Sequence, residues 1–199
     1  MLPRKSTTCP PLGLARLAAL CPHDGQVCIV DENVEEIPLD AEADIVGICG
    51  MGVQFQRQRE RLTRYRGRGY YTVAGDSYAS LCNEKYAPVS ATVVAGEAEN
   101  IWKEFCFDFA YGEPKALYHA TGTVALSDSP TPRFDRLRLE RDSNATLQFS
   151  LRPPVLLRVP RHYRDVRTQA TREKPPADWP RIGRLALPAC AAYSSLTTI

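Results

Sequence analysis

Two short clusters hold residue types that let a backbone approach a bound molecule. Gly75, Asp76, Ser77 and Ser80 follow the apolar run "YYTVAG", and Gly96, Glu97, Ala98 and Glu99 follow "SATVVA". A glycine admits close approach because it lacks a Cβ, and the serines and carboxylates beside it can exchange hydrogen bonds with a ligand. This is chemistry for holding a molecule rather than for breaking a bond. Read by composition alone, a glycine at a strand end serves the turn.

Other reactive side chains are scattered. Cys28 and Cys49 sit inside apolar runs, where a thiol is an inert small hydrophobe. His23 stands beside Asp24 and Gly25 in a turn, and His162 lies in a basic, proline-rich stretch, so both read as solvated. No Ser/His/Asp or Cys/His spacing emerges, and neither a catalytic nor a metal-binding residue is assigned. Six arginines lie between positions 57 and 68, interleaved with Tyr65 and preceded by Phe55. Such a run can bind phosphate, but it is commonly the wet face of an amphipathic helix.

Alternating short strands and helices must position these clusters. "PPLGLARLAALC" repeats apolar residues at spacings of three and four (Leu14, Leu17, Ala18, Cys21) after a proline pair, which predicts a helix. "QVCIVDENV" and "ADIVGICGM" predict buried strands. "VQFQRQRERLTRYRGRG" predicts a surface helix with Phe55, Leu62 and Tyr65 inward, Arg57, Arg61, Arg64 and Arg68 outward, and Gly67 and Gly69 as stops. "YYTVAGD" and "SATVVAGEAE" are further strands, "ENIWKEFCFDFAYG" a helix carrying Ile101, Trp102, Phe105 and Phe109, and "ALYHATGTVAL" a last strand or hairpin. The order predicts an α/β fold, a Rossmann-like parallel sheet with helices on both faces, in which ligands sit beyond the carboxyl ends of the strands.

The 199 residues suffice for one domain and a tail. A net charge of +2 conceals a split: residues 151–199 hold nine Lys and Arg against three acids, and seven of the 16 prolines. Helices and central strands do not tolerate that proline density, so 151–199 is expected to be disordered or non-native. Residues 1–9 are then a remnant, 10–126 the domain and 127–150 a linker. Seven cysteines without a disulfide-framework spacing point to a reducing cytoplasm. No apolar run approaches the roughly 20 residues that span a bilayer.

The segments "PPLGLARLAAL", "VCIVDENVEEI", "ADIVGICGM", "VAGDSYASL", "VVAGEAENIWKEF" and "SPTPRFDRL" occur in order over residues 10–139. In that order and spacing they resemble the cobalamin-binding domain of B12-dependent radical S-adenosylmethionine enzymes. The resemblance implies a flavodoxin-like domain that holds cobalamin. In intact relatives a separate radical domain would follow, whose CxxxCxxC motif carries a [4Fe-4S] cluster and S-adenosylmethionine for methyl transfer or a related ring modification. It places Gly75, Asp76, Ser77, Ser80, Gly96, Glu97, Ala98 and Glu99 along the cobalamin tail and corrin edge. His119, in "HATG", matches half of a DxHxxG cobalt-ligand pattern, but Leu117 replaces its aspartate and the position is too late in the fold, so it is not a ligand.

Two departures accompany the resemblance. Only "MLPRKSTTC" precedes the first helix, so the first strand of the family pattern, interior in the order 2-1-3-4-5, is expected to be missing and the fold marginal. The cluster motif is absent too, and back-translation of Leu151 to Lys174 in a shifted frame permits a stretch similar to it, which reads as a frame-shifted coding region. Catalysis by the chain alone is not expected. The alternatives are a binding module that contacts nucleic acid or an acidic partner through its arginines, and a degenerate fragment without function.

Overall fold

The computed structural model describes residues 10–122, 124 and 128–139, together with two short strands at 150–151 and 172–173. The chain divides into two compact units. One comprises residues 20–25 and 37–122, and the other residues 1–19, 26–36 and 123–199.

The first unit is built on a parallel sheet of four strands, β1 (Ile45–Cys49), β2 (Tyr71–Gly75), β3 (Thr92–Ala95) and β4 (Leu117–His119), in the order β1-β2-β3-β4. Ile48 aligns with Ala74, Ala74 with Val93 and Val94 with Tyr118. Helices α2 (Phe55–Gly67), α3 (Ser77–Leu81), α4 (Asn83–Tyr86) and α5 (Ala98–Ala110) fill the crossovers. The α/β, Rossmann-like arrangement expected from the alternation is the one observed.

Side chains alternate across the strands, so the two faces have separate cores. Ala74 and Val93 point to one face and pack with Leu62 of α2, Ala79 of α3 and Tyr86 of α4, with Ile48, Phe55, Tyr78 and Val89 at the margin. Tyr71 and Tyr118 point to the other. There Phe105 of α5, fully buried, lies 5.6 Å from the Tyr118 ring and 4.9 Å from Trp102, while Phe109 meets Tyr71 at 4.9 Å. The aromatic spacing of "IWKEFCFDF" thus covers one sheet face by itself. Helices flank both faces. Because β4 is added on the same flank as β2 and β3 while α5 lies on the opposite face from α2, the β3–α5–β4 crossover has the opposite hand to β1–α2–β2.

The predicted helix 55–67 carries Leu62 and Tyr65 inward, as expected, and ends at Gly67 with Gly69 at φ +90°. Its arginines do not share one role. Arg66 donates to the carbonyls of Pro88 (3.0 Å) and Ser90 (3.4 Å), Arg68 to Leu39 O and the Asp40 carboxylate, and Arg57 pairs with Glu60. Tyr65 and Tyr70 donate to Pro38 O and Ala41 O, so side chains from the helix end tie down the 38–41 segment.

In the second unit, α1 (Leu12–Leu20) forms where the period predicted it, with Leu20 already in the first unit, and Ala15 and Ala18 are its buried residues. Arg133 N donates to Ala15 O at 2.9 Å, Arg138 pairs with Glu35 at 2.7 Å, and Nε and Nη2 of Arg133 donate to the two Asp135 carboxylate oxygens beside the turn Phe134–Arg136. Strands β5 (Ser150–Leu151) and β6 (Arg172–Glu173) pair antiparallel.

Two strand expectations are corrected. "ADIVGICGM" forms β1, but at the margin of the described sheet and not as a buried strand: none of its five residues is buried, and Cys49, expected inside it, is exposed. "QVCIVDENV" is not a strand: residues 26–30 are irregular, and Asp31 turns the chain by accepting from the Asn33 backbone and side chain. An apolar β-branched run becomes a strand only beside a partner ladder, and no described strand pairs with it. Cys28, expected to be buried there, is exposed. The readings made for residues 1–9 and His162, and for the tail apart from β5 and β6, lie outside the described residues.

Candidate functional site

The parallel strands deliver Cys49, Gly75, Ala95 and His119 to one edge of the sheet, and the loops after them form the site. Gly75 ends β2, and Asp76 follows at φ +110°, the one non-glycine residue with positive φ among those described. A left-handed or more extended positive φ costs a residue with a Cβ about 1 kcal/mol or more, and such strain gathers at functional loops. The turn is held locally: the Asp76 carboxylate accepts from Ser77 N (2.5 Å), and Ser80 N and Oγ both donate to Asp76 O (2.9 and 2.8 Å).

Ser80 connects the two predicted clusters. Its Oγ also accepts from Gly96 N at 2.8 Å. One serine hydroxyl thereby ties the loop after β2 to the loop after β3. Gly96 has φ +105°, and a Cβ there would fall 2.6 Å from the Ala120 methyl, so glycine is required for both reasons. Glu97, Ala98 and Glu99 open α5, with Glu97 as its N-cap residue and Glu99 in its first turn. The structure therefore brings all eight predicted residues to the carboxyl edge. Asp76, Ser77 and Gly96 are exposed, and the other five are partly buried.

Sequence reasoning missed the loop after β1, which completes this edge. Gln54 Oε1 accepts from Met51 N (3.0 Å), Gln58 Nε2 donates to Met51 O (3.0 Å), and Tyr86 Oη donates to Gln58 Oε1 (2.7 Å). Gln58 is 4% exposed and Tyr86 fully buried, so the loop rests on a buried polar chain. The signal was present, since Gln58 occupies the inward stripe between Phe55 and Leu62, where only a satisfied polar group is tolerated. Tyr78 lies against Gly52, and Phe55, Tyr78 and Tyr86 pack edge to face with centroids 5.0–6.2 Å apart. Lys85 Nζ donates to Tyr78 Oη at 2.8 Å.

Electrostatics agree with binding rather than acid–base or nucleophilic work. The Cys49 thiol is pushed up to about 12, first by lost solvation and then by the Asp76 carboxylate. Cys49 is nevertheless exposed at the end of β1, so the shift assigns no role to its thiol. Tyr86 is pushed up to about 12, chiefly by burial. Trp102 Nε1 donates to Cys21 Sγ at 3.3 Å, and the Cys106 thiol is pushed up to about 11 by burial and then by Cys21. Among the described residues no three His, Cys, Asp or Glu side chains gather as a metal site, so these cysteines do not fit an iron–sulfur cluster. No described helix is long and apolar enough to cross a membrane.

Three curated proteins frame this geometry. The chain is 28% identical over 145 residues to an uncharacterized methyltransferase of Synechocystis sp., covering 71% of this chain and 27% of that protein. It is 31% identical over 108 residues to bacteriochlorophyllide d C-8(2)-methyltransferase of Chlorobaculum tepidum, covering 54% and 24%. To the C-12(1)-methyltransferase of the same organism it is 24% identical over 126 residues, covering 62% and 28%. The chain spans about a quarter of the length of the curated relatives it matches. A solved structure, the N-terminal domain of a hypothetical protein of Thermotoga maritima, aligns with TM-score 0.38 and 23% identity over 49% of this chain and 78% of that one. No family model matches.

These findings overturn the assignment to a cobalamin-binding domain. The relatives are named for methyl transfer, two of them to a bacteriochlorophyllide, and no cobalamin-binding domain is indicated. The six ordered segments mark an α/β scaffold whose strand-end glycines and helix spacings do not specify one ligand. Cobalamin is accordingly withdrawn as the molecule held by Gly75, Asp76, Ser77, Ser80, Gly96, Glu97, Ala98 and Glu99.

Proposed function

We propose that this chain is the ligand-holding α/β unit of a methyl-transferring protein, and that the carboxyl edge of its sheet holds one of the reactants. The similarity of more than half of the chain to three proteins named as methyltransferases carries the reading. The site geometry supports the holding role. Gly96 lets the loop after β3 pass against Ala120, Ser80 fixes one loop to the other, and Asp76 and Ser77 offer exposed polar groups. In this reading the described residues orient the bound reactant.

The test is a titration of the full chain with S-adenosylmethionine, as methyl donor, and separately with chlorophyllide a, as a macrocyclic acceptor, followed by backbone amide shifts. At least one of them is expected to bind stoichiometrically and to move the amides of Gly75, Asp76, Ser77, Ser80, Gly96, Glu97, Ala98 and Glu99. Saturating concentrations of both that leave those amides unmoved would overturn the reading.

A further inference from the structure

Cys21 and Cys106 flank one indole ring. Trp102 Nε1 donates to Cys21 Sγ at 3.3 Å, and Cys106 stands one turn after Trp102 on α5. Residues four apart on a helix are neighbours, with Cβ atoms about 5–6 Å apart, so the Cys106 side chain lies beside the ring whose N–H touches the other sulfur. Cys106 also feels Cys21: its thiol is pushed up to about 11 by burial and then by that second sulfur. Both thiols are reduced and only partly buried, which leaves them open to a small molecule. All three residues belong to the unit built on the sheet, to which the segment Leu20–Gly25 contributes Cys21.

Both sides are held in place before any bond forms. Trp102 is 7% exposed, and its ring packs 4.9 Å from that of the fully buried Phe105. Gly25 N donates to Pro22 O at 3.1 Å and closes the turn after Cys21. We infer that Cys21 and Cys106 are a dithiol pair that closes to a disulfide by exchange with a small-molecule disulfide, latching the segment 20–25 to α5. Helix α5 opens at the candidate site with Glu97, Ala98 and Glu99, and Trp102 follows Ala98 by one turn. The latch therefore acts on the helix that carries one side of that edge, whichever reactant the edge holds.

The exchange balances in two steps. Cys21, whose sulfur accepts the indole N–H, gives up its proton and attacks one sulfur of the small disulfide; that S–S bond breaks, and the departing thiolate takes up the proton. The Cys106 sulfur then loses its proton and attacks Cys21 Sγ in the mixed disulfide, and the second small thiol leaves with that proton. Two electrons and two protons pass from the protein to the small disulfide, which departs as two thiols. Surroundings that disfavour a thiolate make the first step slow. They also deny the reduced pair any stabilisation by ionisation, so the disulfide resists reduction once formed.

The probe is glutathione in its oxidised and reduced forms. The full chain is equilibrated with both under native conditions, blocked with iodoacetamide, digested and mapped by mass spectrometry. Peptides joined through Cys21 and Cys106 are expected as the main intramolecular disulfide, while the exposed Cys28 and Cys49 take up glutathione. Cys21→Ser and Cys106→Ser should each leave the other cysteine as a mixed disulfide. The internal disulfide should persist at a ratio of reduced to oxidised glutathione about tenfold or more above the ratio that reverts those mixed disulfides, because its second thiol is tethered nearby. Separate mixed disulfides at Cys21 and Cys106 in the folded wild type, with no peptide joining them, would overturn the inference. So would joined peptides that form only in denaturant, or Cys21 joined mainly to another cysteine. The wild-type map alone decides the matter, even where a serine variant fails to fold.

Discussion

The Tyr86 hydroxyl donates to the Gln58 amide oxygen at 2.7 Å, with both residues buried between α2 and the loops at the carboxyl edge of the sheet. The opposite end of the same amide holds the Met51 carbonyl at 3.0 Å. A buried amide that satisfies one polar group on each side converts helix packing into a fixed loop position.

Tyr86→Phe should therefore cost more than an ordinary hydroxyl deletion. The ring still fills its place against Phe55, but Gln58 Oε1 loses its donor in a dry site, a penalty of about 1–3 kcal/mol. Denaturant unfolding measures it. A cost near zero would mean that the Gln58 amide finds another partner, and that the loop does not depend on this chain of bonds.

Gly96→Ala and Gly67→Ala should move stability in opposite directions. At Gly96 the positive φ and the 2.6 Å approach to the Ala120 methyl combine, for a loss on the order of 2 kcal/mol or more. At Gly67, the last residue of α2, a Cβ meets nothing within 4 Å and no positive φ is required, so alanine should gain up to about 1 kcal/mol. Paired thermal melts distinguish the two, and destabilisation by both would contradict the assignment of strain to Gly96 alone.

Asp76 separates cap from strain. Asp76→Ala removes the carboxylate that accepts from Ser77 N while keeping a Cβ at φ +110°, whereas Asp76→Gly removes both. The glycine variant should be more stable than the alanine variant by about 1 kcal/mol, as read by thermal melts. The reverse order would show that the positive φ carries no cost here.

The alkaline limb follows from Tyr86. Its folded pKa is raised from 10.0 to about 12, so the unfolded chain loses this proton first. The stabilisation is complete below pH 10 and is lost as pH rises from 10 towards 12. Cys49 acts in the same direction, raised from 9.0 to about 12. In Tyr86→Phe, unfolding curves between pH 9 and about pH 12 should show a shallower decline than in the wild type. Parallel declines would place the titration elsewhere.

Much of this fold was legible in the sequence because several elements carry their own period or punctuation. The stripe Phe55, Leu62, Tyr65 and the aromatic spacing of Trp102, Phe105 and Phe109 each describe a helix face before any partner is known. Gly75 and Gly96 mark strand ends for the same local reason. What could not be read depended on partners. "QVCIVDENV" has strand composition but no ladder, and α3 and α4 are too short for periodicity to register. The Gln58–Met51 clamp joins residues seven apart through a backbone carbonyl, and its support from Tyr86 lies 28 residues further on. Only the polar residue in an apolar stripe hinted at it. The ligand was the least legible feature, since glycines and serines at strand ends suit many molecules.

The most direct measurement is the amide-resolved titration of the full chain with chlorophyllide a and S-adenosylmethionine. At least one is expected to move the amides of Gly75, Asp76, Ser77, Ser80 and Gly96 together, because Ser80 bonds both loops. Amides at the carboxyl edge that stay unmoved at saturating concentrations of both compounds would contradict the ligand-holding role.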